Sequence, residues 1–374
     1  MERPLSDYRE LFPVTEHYTY LNHAACTPLP TPGVEALARH WQAESTGGTN
    51  SEPAAWAIND NAREKMARLI GAHSDEIGWI QNTSTGISLV ANGLDWREGD
   101  NVVTVQGEFP ANIYPWLGLK KSRGVETRLV QQRDNRVLID DIAAAITSRT
   151  RLLSISFVEF STGFRNDLYA LGKLCNERGI IFNVDGIQGL GALQLDAHAA
   201  GIHFMSAGVH KWLMGPHGVG IFYAKREILN SIEPWTANWY SVVSPAEYHN
   251  YGQPWREEAS RIEGSTRNVS GIVAFDAVLD MIHEVGPARI EAQIIALTGR
   301  LIEGLLSKGY EVISSRRPEE RSGVVCFKAK GDPMDIFARA EAEKITIAVR
   351  VGVVRVSPHF YNTEEEIDRL LAIL

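Results

Sequence analysis

The sequence predicts an α/β protein: a large domain built on a mostly parallel sheet between helices, followed by a smaller α+β domain. Two observations carry this. From about residue 77, short β-rich runs alternate with amphipathic helical stretches such as SLVANGL, LIDDIAAAI and LYALGKLCNERG. The runs are EIGWI, NVVTV, VETRLV, RLLSISF, GIIFNV, FMSA and VGIFYA. They are rich in β-branched residues and lack polar alternation, the pattern of strands buried on both faces. From about residue 269 the character changes. Two long helical patterns, VSGIVAFDAVLDMIHEV and ARIEAQIIALTGRLIEGLLSKG, precede short strands and a last helix.

Composition narrows the function classes. At 374 residues the chain exceeds one small core and fits a large unit plus a smaller one. A net charge of −9 argues against nucleic acid as the main partner, because phosphate binding needs a basic face. No apolar run reaches the ~20 residues a membrane-spanning helix needs, and the opening MERPLSDYRELFPV has no apolar signal core. Cys26, Cys175 and Cys326 are scattered, without CxxC or paired Cys/His spacing. That pattern predicts no metal site and fits a reducing, cytoplasmic setting. Cys175 and Cys326 sit in apolar patterns and read as core. The charged run RRPEER near Arg316 reads as a solvated turn. The stretch from Pro234 to Pro254, with Trp235, Trp239, Tyr240, Tyr248 and Tyr251, reads as an aromatic loop covering an interface or a pocket.

Three motifs carry chemistry. In SAGVHKWLMGPHGVG, Lys211 follows His210 at the end of an apolar strand and precedes a Gly/Pro-rich turn. Strand-end lysines are usually solvated. The functional reading is a nucleophilic amine for a carbonyl cofactor, made available by apolar or cationic surroundings that depress its pKa. In NVDGIQGLGA, Asp185 ends a strand and Gln188 follows three residues on. An acid there is commonly a helix cap. Twenty-six residues before a candidate cofactor lysine, it instead suits the carboxylate that keeps a pyridine nitrogen protonated, with Gln188 as a donor to the same ring. In WIQNTSTGISLV, a strand breaks into a helix N-terminus carrying Ser84 and Thr85, a phosphate-binding arrangement that ordinary capping also produces.

In this order and spacing, the motifs resemble the aminotransferase class V branch of fold-type I pyridoxal-phosphate (PLP) enzymes, which includes cysteine desulfurases and isopenicillin N epimerase-like proteins. The resemblance runs from YLNHAACTPLP at Tyr20 to VRVSPHFYNTEEEID near the C-terminus. It implies a seven-stranded sheet in a large PLP-binding domain over 21–268, a small domain over 269–374, and an N-terminal segment, 1–20, packing on the small domain. It implies PLP carried as a Schiff base on Lys211, with Asp185 on the ring nitrogen and Phe109 stacked on the ring where relatives often have His. It also implies His210, Ser84 and Thr85 near the phosphate, and a homodimer in which Thr266 reaches the partner's phosphate. Gly208 stands where the family often has a phosphate-binding Ser. For the substrate, a small amino acid, it implies an α-carboxylate held by Arg355 and a pocket lined by Asn22, His23 and Ala24.

One departure shapes the expected function. Desulfurases of this type carry a nucleophilic Cys on a loop between the two C-terminal arginine motifs. Here only Val351, Gly352, Val353 and Val354 separate Arg350 from Arg355, and none is Cys. Cys26 is left as the one thiol near substrate. The expectation is therefore transamination or β-elimination (C–S lyase chemistry) on a small L-amino acid, without persulfide formation. Epimerisation is the alternative, and a non-catalytic PLP-binding role ranks below it.

Overall fold

The sheet that organises the molecule is formed by residues 77–224 in a computed structural model, which describes residues 3–264 and 266–374. Strand β1 is Thr19–Tyr20. The central strands are β2 (Ile77–Ile80), β3 (Asn101–Val105), β4 (Glu126–Val130), β5 (Thr150–Ser156), β6 (Ile181–Asp185), β7 (Phe204–Gly208) and β8 (Gly220–Ala224). Their order is β2-β8-β7-β6-β5-β3-β4. Strand β8 runs antiparallel to both neighbours, and every other pairing is parallel. All seven expected runs became these strands. Residues of β2, β3, β6, β7 and β8 are buried throughout, as continuous apolar runs between two helical layers must be. Only the edge strand β4 turns several side chains to solvent.

Parallel strands need crossovers, and helices such as Thr83–Gly93, Tyr114–Arg123 and Leu168–Arg178 supply them. The consequence is positional. The carboxyl ends of β2, β3, β5, β6 and β7 all emerge along one edge of the sheet, where open α/β folds bind their ligands.

The remaining strands are β9 (Val325–Phe327), β10 (Ile345–Thr346), β11 (Ala348–Arg350) and β12 (Val353–Val356). Strands β11, β12 and β9 form an antiparallel sheet, and β10 pairs in parallel with β1, tying the N-terminal segment to this part of the chain. A separate apolar cluster forms here from Leu297, Leu301, Leu305, Phe327, Val354 and Ile367, joined by Leu21. Helix Val269–Val285 instead sends Ile272, Phe275, Val278, Leu279 and Ile282 into the main core. Helix Pro287–Ser307 spans both, with Ile290 and Ile294 in the main core and Leu297 onward in the second. Each fully buried side chain of this size contributes about 1.5–3 kcal/mol by leaving water.

RRPEER is the expected solvated turn over Arg316, Arg317, Pro318 and Glu319, with Glu320 as the buried exception. Pro318–Glu320 is a 3-10 turn, and Glu320 folds inward to accept from Arg136 Nε at 2.9 Å and from Ser315. A carboxylate withdrawn from water in this way needs such partners to stay charged.

Strands β11 and β12 are joined by two residues, Val351 (φ 50°) and Gly352 (φ 76°). Positive φ at both central positions is what a type I′ hairpin turn demands, and Asn-Gly is its preferred sequence. A β-branched residue is strained in this region by about 1–2 kcal/mol, and Val351 is exposed, with no burial to offset it. Val351→Asn is therefore expected to raise stability by about 1 kcal/mol, read as a higher urea midpoint with an unchanged slope. An unchanged or lower midpoint would mean that the turn carries no such strain.

Candidate active site

Five strand ends converge on a cavity of about 350 Å³. Its lining includes Asn82, Thr83 and Ser84 after β2, Phe109 after β3, Phe160 after β5, Asp185 and Gln188 at and beyond β6, and His210 and Lys211 after β7. Arg350 and Arg355 reach it from the β11–β12 hairpin. A larger cavity of about 550 Å³, between Arg136 and Leu171, contains none of the residues singled out by sequence.

Asp185 and Lys211 are electrostatically opposed. Asp185 is buried, and one carboxylate oxygen accepts from the Ile187 N–H at 3.0 Å. Burial pushes its carboxyl up to about 6, against the pull of that bond and of Lys211. Burial pushes the Lys211 amine down to about 8, aided by Arg355 and Arg350 and resisted by Asp185. The Lys211 Nζ makes no hydrogen bond among the described residues and lies 5.7 Å from the Phe109 ring centroid. Phe109 meets Phe160 edge-to-face at 5.3 Å. These features fit a cationic aromatic aldehyde: a neutral amine to capture it, a strained carboxylate that a ring N–H would relax, and an aromatic face beside it.

The helix start is held by local bonds. Asn82 caps it, accepting from the Thr85 N–H at 3.0 Å, and Thr83 Oγ1 accepts from the Gly208 N–H at 2.9 Å, tying the helix to the end of β7. A Cβ on Gly86 would sit 2.2 Å from Ser206 Oγ, so only glycine permits this approach. Asn82, Thr83 and Ser84 face the cavity, where free N–H groups and the positive helix end suit a phosphate. Thr85, one residue further round, faces a different cavity of about 100 Å³ shared with Thr266. Thr266 thus does not line the Lys211 cavity of its own chain.

The other expected residues are distributed as follows. Gln188 uses Nε2 to donate to the Ala24 carbonyl (3.0 Å) and Oε1 to accept from Trp212 Nε1 (2.9 Å), so it clamps the N-terminal loop. His210 stacks on His217 with ring centroids 4.7 Å apart, and burial pushes its imidazole down to about 4. Arg355 is buried; among the described residues it donates to the Phe160 carbonyl at 3.3 Å and its Nε has no partner. Ala24 lines the cavity, but His23 does not. Its ring turns inward between the Ser357 carbonyl (2.7 Å) and the Tyr361 hydroxyl (2.6 Å), and burial holds it neutral. Asn22 lines the neighbouring cavity instead. Cys175 and Cys326 are buried, whereas Cys26 is half-buried with its Sγ 3.7 Å from His217 Nε2. Burial raises the Cys26 thiol pKa while Lys211 pulls it down.

Sequence reasoning missed Thr83, Phe160 and a buried carboxyl network. Phe160 follows a strand end as Phe109 does, a signal that was available. Glu108 accepts from the Ser156 N–H at 2.6 Å and from its hydroxyl, and Glu159 accepts from Asn166 Nδ2 at 2.9 Å. Burial is the main cause pushing Glu108 up to about 7 and Glu159 well above the usual range; Asp185 adds to both, and Glu108 adds to Glu159. Both therefore tend to hold protons, leaving Asp185 as the charge that faces the cavity.

Residues 19–370 match the family described as Aminotransferase class-V. The chain is 30% identical to a probable cysteine desulfurase of Methanothermobacter thermautotrophicus, over 97% of this chain and 96% of that one. It is also 30% identical to a cysteine desulfurase of Cronobacter sakazakii, over 100% and 98%. The apo structure of a cysteine desulfurase from Thermococcus onnurineus superposes with a TM-score of 0.91 at 26% identity, covering 100% of this chain and 98% of the other. These relatives overturn the expectation that the chain stands apart from persulfide-forming desulfurases. The spacing argument excluded a thiol between Arg350 and Arg355, and the hairpin indeed has none; the absence of persulfide chemistry did not follow from that, because Cys26 remained as a thiol near substrate. No finding favours epimerisation.

The raised Glu108 carboxyl has a testable sign. Its folded pKa lies above the unfolded value of about 4.3, so its contribution to stability is full below that value and is lost as pH rises through about 7. Glu108→Gln removes this titration. The stability of the native protein relative to the variant should fall between pH 5 and 8 in urea unfolding, and a constant difference would show that Glu108 is already ionised at pH 5.

Proposed function

Because this chain belongs to the aminotransferase class V family of fold-type I PLP enzymes, we propose that it cleaves the Cβ–S bond of a small sulfur-bearing L-amino acid, with L-cysteine as the simplest case. The observation that supports this reading is the convergence of Lys211, Asp185 and Arg355 on one cavity, with the half-buried Cys26 thiol outside its lining but within electrostatic reach of Lys211.

In this reading Lys211 holds the cofactor, Asp185 meets the ring nitrogen, Phe109 covers a ring face and the Asn82–Ser84 helix start takes the phosphate. Bound there, PLP supplies an electron sink for the charge left at Cα when its proton is removed. Arg355 receives the substrate α-carboxylate in its planar fork. The Lys211 amine, neutral above about pH 8, moves the Cα proton. Cys26, deprotonated toward His217, attacks the substrate sulfur. A sulfur–sulfur bond forms, the Cβ–S bond breaks with its electron pair going to the carbon side, and proton return yields alanine. L-cysteine plus a thiol gives L-alanine plus a persulfide, with no external oxidant.

We also propose that the working form is a homodimer. Thr266 lies away from its own catalytic cavity, and Trp235, Tyr248 and Tyr251 are exposed, a surface suited to a partner. Dilution to monomers should then release the cofactor.

Product analysis tests the cleavage. Purified protein incubated with L-cysteine is expected to yield alanine, with persulfide trapped on the Cys26 peptide, and borohydride should fix the cofactor to the Lys211 peptide. Pyruvate with free sulfide would instead indicate elimination without a protein thiol. A keto acid that retains its sulfur would overturn cleavage in favour of transamination. Asp185→Asn should keep bound cofactor but lose at least a hundredfold in turnover, because a neutral amide cannot hold the ring proton by charge.

A further inference from the structure

Three carboxyls are buried behind the Lys211 cavity, and the proposed chemistry uses one of them. Asp185 ends β6, Glu108 follows β3 and Glu159 follows β5; their exposures are 2%, 5% and 0%. In the register of β5 and β6, Ser156 pairs with Asp185. Glu108 grips that same Ser156, accepting from its N–H at 2.6 Å and from its hydroxyl. Asn166 Nδ2 donates to the Ser156 carbonyl and to Glu159 Oε1, each at 2.9 Å. The end of β5 therefore gathers both glutamates beside the carboxylate that faces the cavity.

Neither glutamate bonds to an arginine, lysine or histidine among the described residues. Glu159 Oε2 is buried there without a hydrogen-bond partner. Asp185 is faced by Lys211, and Lys211 in turn by Arg355, Cys26 and Arg350. One buried lysine does not balance three buried carboxylates, so the cluster stores protons. The acids also act on one another. Asp185 disfavours charge on Glu108, and both disfavour charge on Glu159. Such coupling is mutual: an ionised Glu108 raises the proton affinity of Asp185 and of any group that shares a proton with it.

We propose that Glu108, backed by Glu159, is a positioning residue that acts through Asp185: as pH rises it yields negative charge behind Asp185 and so keeps the cofactor ring nitrogen protonated while Lys211 becomes a neutral base. This rests on the reading in which Asp185 meets the ring nitrogen, and not on the sulfur chemistry. Below neutrality Glu108 keeps its proton, and Asp185 alone holds the ring proton by charge. Glu108 loses its proton as pH passes about 7, just before the Lys211 amine becomes neutral near 8. Rising pH also favours loss of the ring proton, and a second buried negative charge opposes that loss. Glutamine at 108 keeps an acceptor for the Ser156 N–H and has no charge to yield.

The test compares the native chain with Glu108→Gln, Glu159→Gln and Glu108→Ala. In the apo protein just below neutral pH, infrared spectra are expected to show protonated-carboxyl bands, one lost in each glutamine variant. In the loaded protein, NMR of isotope-labelled pyridoxal phosphate reads the ring nitrogen directly. Its titration midpoint is expected to fall by at least about half a pH unit in Glu108→Gln, and by less in Glu159→Gln. The alkaline limb of kcat/KM for L-cysteine should move the same way. If Glu108 only props the end of β5, Glu108→Gln will titrate like the native protein and Glu108→Ala alone will depart from it, which overturns the inference. Loss of no carboxyl band in Glu108→Gln overturns it too. A ring nitrogen that Asp185→Asn leaves unmoved removes the cofactor placement itself, and the inference with it. The infrared and NMR results hold whether or not L-cysteine is cleaved.

Discussion

The site depends on two adjacent parallel strands ending together. Asp185 is paired with Ser206 in the register of β6 and β7, so the chain leaving β7 brings Lys211 back beside the carboxylate that ends β6. Both groups are withdrawn from water, and their partial pairing is what makes that withdrawal tolerable. Each is held away from its ordinary ionisation, the acid upward and the amine downward. A cofactor that offers an aldehyde to one and a ring N–H to the other relieves both strains at once. Tightening the pair into a full ion bridge would remove the neutral amine; separating it would leave the buried carboxyl protonated.

The surroundings keep that balance. Glu108 and Glu159 are close to Asp185 yet favour the protonated form, so they do not stack two further negative charges under the cavity. Their hydrogen bonds to Ser156 and Asn166 also fix the ends of β5 and the following loop. Gln188, bonded to Ala24 and Trp212, locks the N-terminal loop across the site. Positive charge enters from the other part of the molecule, on a hairpin whose two-residue turn leaves no slack. Residues of the central sheet and of the C-terminal hairpin thus meet at one cavity, and in the proposed function they divide cofactor binding and substrate recognition between them.

Much of this was legible in one dimension. Seven apolar runs without polar alternation determined a buried, mostly parallel sheet, because only strands covered on both faces need apolar residues at every position. Lys211, Asp185 and the helix start at Ser84 could be found because strand ends in such a sheet share one edge by topology. The four-residue gap between Arg350 and Arg355 excluded a long cysteine-bearing loop between them by reach alone.

Tertiary structure decided what spacing leaves open. Thr85 and Ser84 are neighbours in sequence, but the helical rotation sends them to different cavities. His23 sits one residue from the cavity-lining Ala24 yet turns into the core, because Ser357 and Tyr361 offer it two buried partners. Cys26 lies 185 residues from Lys211 in sequence, and only the fold brings its thiol within electrostatic reach of that amine and beside His217. The ionisation states were equally out of reach of sequence: Glu108 looks like any surface acid until packing against Ser156 removes its water. Periodicity and chain reach are local properties that a sequence carries in full, whereas side-chain direction and desolvation depend on which distant segment closes over each residue.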